Sequence, residues 1–175
     1  HLSKTIDMYE TLLDDCTSIL GPDHPDTLIT RGNLAGAHRD AGHLSKTIDM
    51  YETLLDDCTS AFGLDHPHTL ATRGNLAGAH QDAGHLSKAI DMYETLLDDH
   101  TRVLGPDHPH TLTTRGNLAA AYYAGGDLQT AIDMCKALLS DLASVLGPDH
   151  LHTLAISQFL SVLRRQGGEA EKNQQ

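Results

Sequence analysis

The chain has 175 residues, of which 39% are hydrophobic and 4% aromatic, and a formal charge of −12. So acidic a chain, with its 12 lysines and arginines scattered, excludes nucleic acid and anionic membrane as expected partners, because both require a basic stripe. No apolar run reaches the roughly 18 to 20 residues that span a bilayer, no secretory leader is evident, and the three cysteines form neither a CxxC pair nor a disulfide framework; together these predict a soluble protein of the reducing cytoplasm.

Taken from its start, the chain repeats. The 42 residues of 1–42 return at 43–84 with changes only at Ile19/Ala61, Leu20/Phe62, Pro22/Leu64, Asp26/His68, Ile29/Ala71 and Arg39/Gln81, return with more drift at 85–126, and diverge in a fourth copy from Asp127. A period in this range marks a supersecondary unit that buries its apolar face only by stacking on its neighbours. The chain opens inside a unit and without methionine, which predicts a segment of a longer protein.

In the first unit, Leu2, Ile6, Tyr9, Leu13, Cys16 and Leu20 alternate steps of four and three, the stripe of a long amphipathic helix. Gly21 stops it, Pro22 and His24-Pro25 hold an extended link, and Pro25 and Thr27 open a second helix that runs to a stop at Gly42. The link is short enough to force an antiparallel pair. Applied throughout, this reading predicts eight helices: long ones at 2–20, 44–62, 86–104 and 128–146, alternating with shorter ones at about 26–41, 68–83, 110–124 and 152–166. The last departs from the pattern, with Leu151 for proline, Ser157 for arginine, Phe159 for asparagine and Ser161 for alanine, as a capping helix would. Residues 167–175 are polar and expected to be a disordered tail.

The segment Asn33-Leu34-Ala35-x-Ala37, then Gly42-x-Leu44, then Ile48, Tyr51 and Leu54, resembles the tetratricopeptide repeat (TPR). The 42-residue period and the Leu-Gly-Pro-Asp-His-Pro-x-Thr-Leu links at 20–28 and 104–112 are similar to the long-helix variant of kinesin light chains. That variant also occurs in sensor arrays of bacterial signalling NTPases with an NB-ARC-type switch. Thr5 and Thr47 stand where the family prefers alanine, and His38 and His80 stand where the third copy has Tyr122. The resemblance implies an all-α TPR-like α-solenoid, a right-handed superhelix of antiparallel helix pairs, with residues 1–166 as one array of units at about 1–42, 43–84, 85–126 and 127–166.

It also implies a groove lined by the shorter helices, in which Asn33, Asn75 and Asn117 clamp the backbone of a protein segment or extended peptide, since a carboxamide both donates and accepts. Gly32, Gly74 and Gly116 stand beside them, and the variable Ile29/Ala71/Thr113 and Arg39/Gln81/Tyr123 would set selectivity. Glycines inside a helix cost about 1 kcal/mol each against alanine, so something approaches Gly32, Gly36, Gly74, Gly78 and Gly116 closely: a ligand chain, or the neighbouring helices themselves. Arg31, Arg73 and Arg115 recur beside the asparagines. Either their heads pair with an acid such as Asp15 of the preceding long helix, the favoured reading, or they anchor a carboxylate ligand.

The 13 histidines include the pairs His66/His68, His108/His110 and His150/His152, whose number repetition explains better than coordination does, so no metal is expected. His38 and His80 should sit inside the helix pair, where burial disfavours their protonation. With no nucleophile elbow and no phosphate-binding glycine loop, neither catalysis nor a cofactor is expected. The sequence thus points to a protein- or peptide-binding module of a signalling or scaffold protein. The alternative is a structural or self-assembling array, natural or engineered, that associates through its repeat ends and has no dedicated ligand.

Overall fold

The computed structural model describes residues 2–172, with side chains through residue 168. The described residues form eight helices and no strand: α1 (Leu2–Leu20), α2 (Pro25–Asp40), α3 (Leu44–Phe62), α4 (Pro67–Asp82), α5 (Leu86–Leu104), α6 (Pro109–Ala124), α7 (Leu128–Val145) and α8 (Leu151–Lys172). No described helix is long and apolar enough to cross a membrane. The chain divides into two compact units, His1–Lys88 and Ala89–Gln175. In the first, α1 pairs with α2, α2 packs on α3, and α3 pairs with α4; in the second, α6 packs on α7 and α7 pairs with α8.

Each link between a long and a short helix is held by two side-chain bonds. The hydroxyls of Thr27, Thr69, Thr111 and Thr153 donate to the carbonyls of Gly21, Gly63, Gly105 and Gly147, each at 2.8 Å. The residue before proline then caps the short helix. His24 Nδ1 accepts from the Asp26 amide at 3.2 Å, and His66, His108 and His150 do the same for His68, His110 and His152. A histidine ring thus occupies the position usually held by serine or aspartate, satisfying one of the orphan amides at a helix start. The first histidine of each link pair is therefore the cap, and the second contributes its backbone amide. Where Leu151 replaces proline at the start of α8, the His150 cap persists.

The expected stop at Gly42 is a Schellman motif. With φ at +78°, Gly42 donates its amide to the Arg39 carbonyl while the His43 amide donates to His38, both at 2.9 Å. Gly84 and Gly126 repeat the arrangement.

Ile6, Leu34 and Ala37 form a core between α1 and α2, flanked by Tyr9, Leu13 and Met50. Ala119, Ala131, Cys135, Leu160 and Leu163 form the corresponding core of the second unit. Thr47 replaces a family alanine without an unsatisfied hydroxyl, because it is fully buried and donates to the His43 carbonyl four residues back at 3.1 Å. Behind the first three helix pairs lies one polar contact each: Cys16 with Thr30 and Cys58 with Thr72, both at 3.9 Å, and His100 with Thr114 at 3.0 Å.

One expectation is corrected here. The last helix does not end near Gln166 but runs to Lys172, through most of the segment expected to be disordered. No proline interrupts it, and at Gly167 it still runs alongside α7, where an added Cβ would lie 3.7 Å from Leu128. Residues 173–175 lie outside the described residues.

Candidate functional site

The face shared by successive short helices forms a groove in each unit. In the first, Ile29, Gly32, Asn33 and Gly36 of α2 face His68, Ala71, Thr72 and Asn75 of α4 across about 360 Å³, and Tyr51, Leu54 and Cys58 of α3 make the floor. In the second, Thr113, Gly116 and Asn117 of α6 face His152, Ala155 and Ile156 of α8 across about 240 Å³, over Leu138 and Leu142. The spacing of the short-helix residues explains the wall, since positions three and four apart share one side of a helix. The floor was not singled out as part of a site in the sequence. It consists of stripe residues of the next long helix, of which Tyr51 and Leu54 also stand at positions of the repeat motif.

Asn33, Asn75 and Asn117 are all exposed, and among the described residues no hydrogen bond engages their carboxamides. Each therefore presents a donor and an acceptor at the rim of an apolar floor. Asn33 and Asn75 share the first groove, and Asn117 belongs to the second.

The glycines are explained largely by protein contacts. A Cβ at Gly32 would lie 3.5 Å from Leu54, one at Gly36 would lie 3.6 Å from the Tyr51 hydroxyl, and one at Gly116 would lie 3.6 Å from both Leu138 and Ile156. Tyr51 also donates its hydroxyl to the Gly32 carbonyl at 3.3 Å. At Gly78 the crowding is tighter, with the Arg39 guanidinium 3.0 Å from a Cβ there. Gly74 lies on α4 beside Asn75, half-buried and outside the lining of the first groove.

Two of the variable positions, Arg39 and Tyr123, are engaged within the protein. Arg39 on α2 reaches over Gly78 and pairs with Asp82 of α4, so it ties the two short helices together. Tyr123 packs edge to face on Phe159, ring centres 5.8 Å apart, where the other copies have asparagine. Gln81 sits half-buried in the last turn of α4.

Two of the recurrent arginines pair with an acid, but on the opposite neighbour from the one expected. Arg31 meets Asp57 and Arg115 meets Asp141, each at 2.6 Å, on the long helix that follows rather than on the one that precedes. The i, i+3/i+4 stripe shows which residues lie on one side of a helix and carries no information on which neighbour that side faces. Since those two guanidinium groups are engaged, neither is an open anchor for a carboxylate.

His38 and His80 lie inside their helix pairs as expected, each only 3% exposed. Their Nδ1 atoms meet those of His43 at 3.0 Å and His85 at 3.2 Å, while their buried Nε2 atoms have no hydrogen-bond partner. Glu52 stands 3.9 Å from His80 Nε2, beyond hydrogen-bond reach. Burial holds the pKa of His38 down, helped by Lys46 and His43 and opposed by Glu10. Burial does the same to His80, with Lys88 and His85 assisting and Glu52 opposing. Among the described residues no three His, Cys, Asp or Glu side chains converge as metal ligands.

Comparison with known proteins agrees with this architecture. Residues 44–101 and 88–140 match the family model described as tetratricopeptide repeat. No curated protein matches the chain. Among solved structures, a kinesin light chain-like protein of Podosopora anserina with nearly identical TPR-like repeats is 24% identical, with a TM-score of 0.79 over 99% of this chain and 82% of that one. BtubC (BKLC) of P. vanneervenii is 17% identical, with a TM-score of 0.80 over 95% of this chain and 67% of that one. A Rap protein complexed with Competence and Sporulation Factor is 13% identical, with a TM-score of 0.70 over 94% of this chain and 49% of that one.

Proposed function

The chain belongs to the tetratricopeptide repeat family, and from that premise we propose that residues 1–166 serve as a recognition module for an extended protein segment, within a cytoplasmic signalling or scaffold protein. The observation that carries this reading is the placement of Asn33 and Asn75 at one groove, exposed and unengaged above the apolar floor of Leu54 and Tyr51. A carboxamide on each wall reads the backbone of an extended chain, and the floor accepts its apolar side chains. Asn117 repeats the arrangement over Leu138 and Leu142. That the Rap protein of the same fold is complexed with Competence and Sporulation Factor supports a partner-binding role. The engagement of Arg39 and Tyr123 leaves Ile29, Ala71 and Thr113 as the more available selectivity positions. On this reading the chain performs no chemistry.

A displayed library of random peptides, selected on the purified chain, tests the proposal. Asn33→Ala, Asn75→Ala and Asn117→Ala together should weaken the selected peptides by about 1.5 kcal/mol or more, roughly tenfold, with the helical content kept. Asp7→Asn, Asp49→Asn and Asp91→Asn together should change affinity by no more than about twofold at ordinary salt. Equal losses from the two triple variants would place the site elsewhere and favour the self-assembling alternative.

A further inference from the structure

The two grooves share one frame and differ in what fills it. Asn33, Leu54 and Ala71 of the first recur, two repeats later, as Asn117, Leu138 and Ala155 of the second. Where the floor meets the far wall, however, the first groove has Cys58 and Thr72, sulfur and hydroxyl 3.9 Å apart, and the second has Leu142 and Ile156. Ile156 packs there on the buried Leu112, Leu138 and Leu142. The second carboxamide of the first groove, Asn75, is also missing from the second, because Phe159 stands at its position and packs on Tyr123.

These exchanges leave the second groove smaller, about 240 Å³ against about 360 Å³, and short of polar groups. Its Thr113 hydroxyl already donates to the Pro109 carbonyl at 2.8 Å, so the Asn117 carboxamide and the His152 ring are the polar side chains left to meet a ligand. The chain carries 12 lysines and arginines and 24 aspartates and glutamates, yet among the described residues none of them lines either groove. A charged side chain entering the second groove would give up its water for leucines with no counter-charge, and a small polar one would leave its hydrogen bonds unmade. An apolar side chain meets neither cost and removes apolar surface from water on both partners.

Resting on the groove function proposed above, we propose that the second groove is a pocket for one apolar side chain of the bound segment, with Leu142 and Ile156 as its specificity-determining residues. The first groove, with Cys58, Thr72 and Asn75 at the matching places, does not impose this restriction.

The test uses the whole chain and the displayed peptide library. Among peptides whose binding depends on the three asparagines, one position should be held by leucine, isoleucine, valine, methionine or phenylalanine. Their affinity should change no more than about twofold between roughly 50 and 500 mM salt, as an uncharged contact requires. Ile156→Thr, which gives the second groove the residue of the first, should weaken these peptides about fivefold and admit serine, threonine or asparagine at that position in a fresh selection. A merely structural role for Ile156 would lower stability without changing which residue is selected. Ala155→Asp, at an exposed place on the wall, should replace the apolar preference with lysine or arginine and make binding sensitive to salt. Circular dichroism verifies that both variants keep their helices. The same apolar preference on either variant, or a charged residue at the fixed position of peptides selected on the original chain, would overturn the inference and leave the groove function standing. A library that yields no peptide sensitive to the asparagine triple variant would overturn that function and the inference with it.

Discussion

The corner that closes a short helix is built on one backbone with two chemistries. In the first unit, His38 and His80 accept the amides of His43 and His85, and each pair of rings shares one proton between Nδ1 atoms, leaving a buried Nε2 unpartnered. In the second, Tyr122 accepts the Asp127 amide in the same Schellman geometry, but its hydroxyl donates to Glu94, and Asp127 caps α7 by accepting from the Thr130 amide and hydroxyl. The glycine fixes the turn in both. What differs is whether every buried polar atom finds a partner, and the cost of a missing partner is about 1 to 3 kcal/mol. The contact behind the helix pairs varies on its own pattern. Cys16 with Thr30 and Cys58 with Thr72 in the first unit and His100 with Thr114 in the second are polar, whereas the matching positions of α7 and α8 hold the apolar Leu142 and Ile156.

The largest effect should come from a leucine that recurs in both units in different surroundings. Leu70 is buried and its counterpart Leu154 is exposed. Leu70→Ala should destabilise by about 2 to 5 kcal/mol, whereas Leu154→Ala should stay within about 0.5 kcal/mol. Chemical denaturation distinguishes them, and equal losses would break the contrast.

Converting the first unit's corners to the second's chemistry should change how stability responds to acid. Because the folded-state pKa of His38 and His80 is held below the ordinary value of 6.5, the unfolded chain binds more protons as pH falls. Their contribution is therefore fully present above about pH 6.5 and is lost as pH drops from there toward the lowered folded values. His38→Tyr with His80→Tyr should flatten that loss. Each tyrosine also gains a carboxylate acceptor, Glu10 or Glu52, in the place Glu94 takes for Tyr122, which adds about 0.5 to 1.5 kcal/mol at neutral pH. Melting curves between pH 7.5 and 5 that keep the original slope would refute this account of the corner.

A smaller effect is expected at the α7 start, where Asp127→Ala should lower the melting temperature through loss of the bonds from the Thr130 amide and hydroxyl. The smallest is the ion pair. A double-mutant cycle on Arg31 and Asp57 should give a coupling of about 0.2 to 1 kcal/mol, since both groups are partly exposed, and a cycle on Arg31 and Asp15 should give none. Coupling to Asp15 instead would reverse the correction.

Much of this framework was legible because glycine and proline punctuate it. Gly21 and Pro25 placed the α1–α2 break within about two residues, and Gly42 announced its Schellman turn. The partner of Arg31 was not legible, because periodicity defines a face without saying which neighbour covers it. The histidine caps were missed because a ring nitrogen at that position mimics a role that preference assigns to shorter polar side chains. The run of α8 to Lys172 was not legible, because the polar residues from 167 onward carry no apolar stripe that would mark a helix. At the groove, the asparagines were visible as a recurring position, but the floor of Tyr51, Leu54 and Cys58 emerged only once α3 lay between α2 and α4.

The central claim is that the asparagine carboxamides of the grooves are the groups that meet a bound chain. The side-chain amide resonances of Asn33, Asn75 and Asn117 report on this directly in a heteronuclear correlation spectrum, titrated with a peptide selected on the chain. All three pairs should shift and saturate together with the backbone signals of Gly32 and Gly116, while the amide of Gln129 on α7, bonded to Asp133, stays in place. Saturable binding that leaves the three asparagine pairs unmoved would contradict the account.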